Sequence, residues 1–217
     1  PTTKGHSYCD EQEELENTGM LQYVTESEIE DGLVLDLGSK DGRKTRSIAT
    51  EVVAVDIDFG DRVEAEHLTF VRGDARQLPF SPNSFDVIIA DQLLEHVRDI
   101  EAVVGEIARV LKPDGTTYVA FPHRFAPTRP HDLPRWFSML PRRVRARVVE
   151  TFEPSARHYA LEGVWPLSPI RARKIFETQF ESVEHATLDF RRRHAERYVS
   201  EGATGARLFE YVRPLIE

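Results

Sequence analysis

The sequence predicts an α/β chain built on a doubly wound, mostly parallel sheet, and three observations carry that prediction. Short and almost wholly apolar runs recur at Leu33–Leu37, Val52–Asp58 and Ser84–Ala90, the composition of strands buried on both faces. Gly-bounded turns and crossover-length segments separate them, as right-handed parallel connections require. Between Asp99 and Leu111 the apolar residues Ile100, Val103, Val104, Ile107, Val110 and Leu111 repeat at three and four, the period of a helix packed on a sheet.

In chain order, residues 1–31 read as an acidic helical cover, with Leu15, Met20, Leu21, Val24 and Ile29 in a loose stripe, closed by the turn Glu30-Asp31-Gly32. The first strand leads into Gly38 and Gly42, which bracket a turn, and GRKTRSIAT after it is expected to begin a helix. A strand, a glycine turn and a positive helix end would meet at one point, where an anionic or carboxylate-bearing nucleotide cofactor docks. The second strand ends in acid about 20 residues after the first glycine, the spacing at which α/β nucleotide folds place a carboxylate on ribose hydroxyls.

Leu68–Arg72 is the third strand, followed by a loop rich in turn formers from Gly73 to Asn83. Ser84–Ala90 is the fourth. Asp99 is placed to N-cap the helix, and Lys112-Pro113-Asp114-Gly115 to stop it. Thr116–Pro122 is rich in β-formers and reads as a fifth strand. Pro169–Thr178 reads as a helix, Phe180–Phe190 as a sixth strand, and Gly202–Glu217 as a terminal helix with a face suited to homodimerisation.

A chain of 217 residues fits one domain with a modest insertion, and its formal charge of -9 argues against a generic nucleic-acid binder. Only five of the 28 basic residues are lysine, a balance that fits either a salt-adapted acidic surface or an arginine-favouring genome. Cys9 is the single cysteine, so neither an internal disulfide nor a zinc site is expected, and no metal is expected. No stretch approaches the length of an apolar membrane span and the N-terminal residues lack a signal-peptide core, which predicts a soluble, cytoplasmic protein.

DLGSKDG, VDID, GDARQLPF, SFDVIIADQLLEHV and RVLKPDGTTYVAFP, in that order between Gly32 and Pro122, resemble the class I S-adenosylmethionine-dependent methyltransferases. The resemblance implies a Rossmann-like methyltransferase fold with S-adenosylmethionine as cofactor. It implies that Asp36, Gly38, Ser39 and Gly42 receive the cofactor's amino-acid end, that Asp56 binds the ribose hydroxyls with Ile57 against the adenine, and that Asp74 and Ala75 read the adenine edge. Ala90 and Asp91 would line the methionine side. Lys40 stands where the family usually has a middle glycine; it either reaches the cofactor carboxylate or an anionic acceptor, points outward, or crowds the site. Glu95 and His96 are expected to pack the strand-to-helix turn.

After the core at 32–122, residues 123–167 read as a helical lid on the acceptor side, and 168–217 as the end of the sheet and the terminal helix. Seven arginines fall between Arg124 and Arg147 against one acid, Asp132, beside Trp136, Phe137, Met139 and Leu140. Such a surface suits a lipid headgroup, a lipid- or glycan-linked acceptor or a partner, or is a lid whose arginines pair with the acidic surface. His123 and His131 are the candidate catalytic bases for an acceptor hydroxyl, with His158 and Tyr159 as further polar candidates. The reading is a methyltransferase for a small-molecule or glycan- or lipid-linked acceptor, on oxygen, in peripheral contact with a membrane at most. Its alternatives are a non-catalytic cofactor-binding scaffold and an RNA methyltransferase using the arginine island; the chain lacks an Asn-Pro-Pro-Tyr-like motif after the fourth strand.

Overall fold

A computed structural model describes residues 32–48, 50–121, 140, 143–144, 147–148, 151 and 167–184. Five strands form one parallel sheet: β1 (Val34–Leu37), β2 (Val52–Asp56), β3 (Leu68–Arg72), β4 (Phe85–Asp91) and β5 (Leu111–Ala120), in the order β3-β2-β1-β4-β5. The chain winds outward from β1 to β3, then returns to lay β4 on the other side of β1. The doubly wound sheet read from the sequence is therefore the fold, and its switch point lies between the carboxyl ends of β1 and β4.

All four residues of β1 are buried, as a strand with neighbours on both edges and cover on both faces must be. Register fixes the two faces. Val34 pairs with Val52 and Val87, and Asp36 with Ala54 and Ile89. Residues paired in a parallel ladder share a face and successive residues alternate. One face thus carries Val34, Val52, Leu68, Val87 and Ile89, which form a buried cluster with Ile48. Followed to the strand ends, that same face carries Asp36, Asp56 and Asp91.

The periodic helix is α1 (Ile100–Val110), with Asp99 accepting a hydrogen bond from the Ala102 N–H as its N-cap and Ile100, Val103, Val104, Ile107 and Val110 buried. Ser168 caps α2 (Pro169–Phe176) in the same way through the Arg171 N–H.

Four expectations need correction. Residues 43–48 form no α-helix, only one 3-10 turn at Thr45–Ser47, after which Ile48 turns extended. Thr45 spends its hydroxyl on Asp36 and Ile48 on the apolar face, so the segment is pinned to the sheet before a second turn forms. Among the described residues, no α-helix therefore follows the glycine turn directly. Second, β2 ends at Asp56, because that carboxylate binds the Asp58 N–H and turns the chain away. Third, the fifth strand begins at Leu111 rather than Thr116. The register jumps from Phe85–Leu111 to Val87–Thr116, so Lys112–Gly115 bulges out of the ladder instead of capping the helix. Gly115 is required there because a Cβ would lie 2.8 Å from the Asp86 carbonyl oxygen. Fourth, residues 180–184 form no strand; the remainder of the expected sixth strand, the cover at 1–31, nearly all of the lid and the terminal helix lie outside the described residues.

At the amino end of the sheet, Asp86 accepts from the Leu33 N–H at 2.9 Å and from Lys112 Nζ at 2.8 Å, fastening β1 and the bulge to β4. This latch lies at the end of the sheet opposite the site.

Candidate functional site

The turn after β1 is shaped by three left-handed residues: Gly38 at φ 76°, Lys40 at φ 53° and Gly42 at φ 79°. A Cβ at Gly42 would meet the Phe70 ring at 2.8 Å, so that glycine is required by space as well as by conformation. The turn is tied to β2. Gly38 and Ser39 donate their N–H groups to the Val55 carbonyl, and Lys40 donates its own to Asp56 Oδ2 at 2.8 Å.

Asp56 thus accepts backbone hydrogen bonds from Lys40 and Asp58, one on each oxygen, and each oxygen keeps a further lone pair. Beside it Ile57 is 62% exposed, a large apolar side chain open to solvent next to a carboxylate. Asp74 begins the loop after β3 and is held by Arg76 through both its side chain and its backbone N–H; this draws the Asp74 carboxyl below its ordinary range. Ala75 is buried. The loop is itself anchored by α1. Arg109 donates to the Phe80 and Leu78 carbonyls and to Glu106, while the Leu78 N–H donates to Glu106.

At the β4 end, Ala90 is fully buried, and Gln92 turns the chain through a left-handed conformation at φ 54°. Leu93 then packs over Gly38. Asp91 is paired with Lys44 at 2.7 Å. Asp36 is only 4% exposed and accepts from Thr45 Oγ1; burial first, with Asp91 and Asp56 adding like charge, raises its pKa to about 7. Glu95 is 2% exposed, and burial, reinforced by Asp91, raises it to about 7 as well. Glu95 Oε2 and Ser39 Oγ are buried with no hydrogen-bond partner among the described residues.

The structure therefore brings Asp36, Gly38, Ser39, Ala90 and Asp91 to the β1/β4 switch point, Asp56 and Ile57 to the end of β2, and Asp74 and Ala75 to the end of β3. Lys40 is exposed, its backbone engaged with Asp56. His123, His131, His158 and Tyr159 lie outside the described residues. Sequence reasoning missed Lys44, and treated Glu95 only as packing; the doubly wound topology was the signal that brings residues 47 apart to one crevice. Among the described residues no group of three or more His, Cys, Asp or Glu side chains is arranged to hold a metal, and no helix is long and apolar enough to cross a membrane.

A family profile described as a methyltransferase domain matches residues 35–119. The demethylmenaquinone methyltransferase of Thermobifida fusca is 32% identical over 178 residues, 73% of this chain and 72% of that protein. The chain belongs to the S-adenosylmethionine-dependent methyltransferases. Sterol 24-C-methyltransferase erg6 of Aspergillus fumigatus is 36% identical over 40% of this chain and 27% of its own length. Against two further curated relatives this methyltransferase chain spans only 22% and 26% of the partner's length. The crystal structure of Bacillus subtilis YcgJ superposes with a TM-score of 0.54 at 23% identity, covering 74% of this chain and 67% of that one; that likeness shows the methyltransferase fold.

The residues at the strand ends fit the family's cofactor. Left-handed backbone opens the turn for close approach, Ser39 Oγ and Glu95 Oε2 are buried without partners among the described residues, and Asp56, with spare lone pairs, stands beside the exposed side chain of Ile57.

Proposed function

We propose that this chain transfers a methyl group from S-adenosylmethionine to a small-molecule or lipid- or glycan-linked acceptor. The observation that carries the proposal is the convergence of Asp36, Asp56 and Asp91 on one sheet face at the switch point, around a left-handed turn. Asp56 would accept the two ribose hydroxyls on its free lone pairs, and Ile57 would cover one adenine face. Asp74 would take the adenine amino group with Ala75 supplying a backbone N–H, exchanging part of its present pairing with Arg76. Gly38, Ser39 and Gly42 would surround the amino-acid end, with Lys40 at the outer rim of the turn. S-adenosylmethionine supplies an electrophilic methyl on a sulfonium; the chain's share of the work is to orient that group and exclude water.

On the acceptor side we propose the arginine- and aromatic-rich segment 123–167, with His123 or His131 taking the proton of an acceptor hydroxyl. The names of the relatives support a lipid-like acceptor, since they include a demethylmenaquinone and a sterol methyltransferase. The latter name specifies carbon, so product analysis that separates O-methyl from C-methyl tests the oxygen assignment. Calorimetric titration with S-adenosylhomocysteine tests the cofactor reading. Saturable binding at micromolar order is expected, with Asp56→Ala at least about tenfold weaker and still folded; unchanged affinity would remove Asp56 from the ribose.

A further inference from the structure

Lys44 has no role in the assignments above, yet its side chain spans the switch point. It leaves the segment after β1 and donates to Asp91 Oδ2 at the end of β4, with its side chain 32% exposed and that of Asp91 13% exposed. The pair is part-buried, with the lysine the more open of the two. Glu95, which feels the charge of both, has its Oε2 buried and without a partner among the described residues, and so has Ser39 Oγ in the turn after β1. Lys44 and Asp91 both act on the charge of Glu95 and of Asp36, so the four groups form one electrostatic unit.

A part-buried ion pair is the complement of an amino-acid zwitterion. The ammonium of Lys44 matches an α-carboxylate, and the carboxylate of Asp91 matches an α-ammonium. Such an exchange keeps local charge nearly constant, replacing one part-buried pair by two, and the nearby carboxyls of Asp36 and Glu95 favour the added ammonium. Lys40 is unsuited to this role: it is exposed, and its backbone is committed to Asp56 at the nucleoside end.

We propose that Lys44 binds the α-carboxylate of the cofactor's amino-acid end while Asp91 takes its α-ammonium, making Lys44 the residue that distinguishes the intact cofactor from its nucleoside fragment. The proposal rests on the methyltransferase reading. It is tested on the full chain with two probes that share the nucleoside and sulfur and differ in the amino acid: S-adenosylhomocysteine and methylthioadenosine. Lys44→Met is expected to lose about tenfold or more for S-adenosylhomocysteine while methylthioadenosine binds within about twofold of the parent. Lys44→Arg, which keeps the cation, is expected to keep the discrimination.

Equal losses for both probes, or no loss for S-adenosylhomocysteine, would overturn the role of Lys44 while leaving the cofactor reading intact. Should Lys44→Met not fold, the parent and Lys44→Arg are compared across salt. The preference for S-adenosylhomocysteine should fall with ionic strength, and a salt-independent preference overturns the proposal. A parent chain that binds neither probe overturns both readings together.

Discussion

Lys40 shows how one residue records a conflict between sequence and backbone. It stands at φ 53° in a turn whose other left-handed positions are Gly38 and Gly42, which explains why the family usually places glycine there. A β-carbon in that region costs on the order of 1 kcal/mol, reduced by the greater freedom glycine has when unfolded. Lys40→Gly is therefore expected to raise stability by up to about 1 kcal/mol, read from denaturant midpoints at constant m. Its cofactor affinity should hold, because the Lys40 contribution to the turn is a backbone N–H that glycine retains. The left-handed conformation was not legible in the sequence, where a lysine reads equally well as a ligand or as surface.

Among the elements, the strands were legible because buried parallel strands are continuous apolar runs, and α1 because its period and cap agree. The turn at Thr45–Ser47 was misread as a helix because its polar composition is helix-compatible in isolation; its fate is settled by Asp36, which lies on a different element. The helix does stop ahead of Lys112–Gly115, as read, but the segment's place inside the fifth strand was not legible. Its bulge is dictated by Asp86, on the neighbouring strand.

The loop between β3 and β4 depends on α1 in a way that no local pattern shows. Arg109 reaches the Phe80 and Leu78 carbonyls and Glu106 together, a fork that lysine cannot reproduce. Arg109→Ala is expected to destabilise by about 1–3 kcal/mol through the hydrogen bonds it removes. It should also weaken nucleoside binding several-fold, since this loop carries Asp74 and Ala75; Arg109→Lys should recover only part of either. Thermal melts paired with methylthioadenosine titration check both.

Across the whole molecule, carboxyl groups divide by environment into two sets with opposite dependence on pH. Asp74, Asp86, Glu101 and Glu106 sit below their ordinary range, held mainly by Arg76, Lys112, the backbone at Glu101 and Arg109 in turn. Their stabilisation is present above the unfolded carboxylate range and is lost as pH falls through their folded values. Asp36 and Glu95, raised to about 7 chiefly by burial, act the other way: their contribution is full below about pH 4 and is lost as pH rises through 7. Thermal stability should therefore peak at about pH 4–5, near the unfolded carboxylate values, and decline on both sides. On the alkaline limb Glu95→Gln removes one of the two groups responsible, so the variant should gain on the parent between pH 5 and pH 8 by on the order of 2 kcal/mol. An unchanged difference across that range would mean Glu95 does not take up its proton on folding.

The placement of Asp36, Asp56 and Asp91 on a single face of the sheet carries a consequence for how such a chain can change over generations. Side chains alternate with a period of two, so removing one residue within β1, β2 or β4 would send that strand's acid to the far face and bring an apolar neighbour into the crevice. Point substitutions can drift widely in these strands while their apolar character persists. Insertions and deletions cannot, and divergence in length is confined to the connections, such as residues 57–67, where the count does not set which way an acid points.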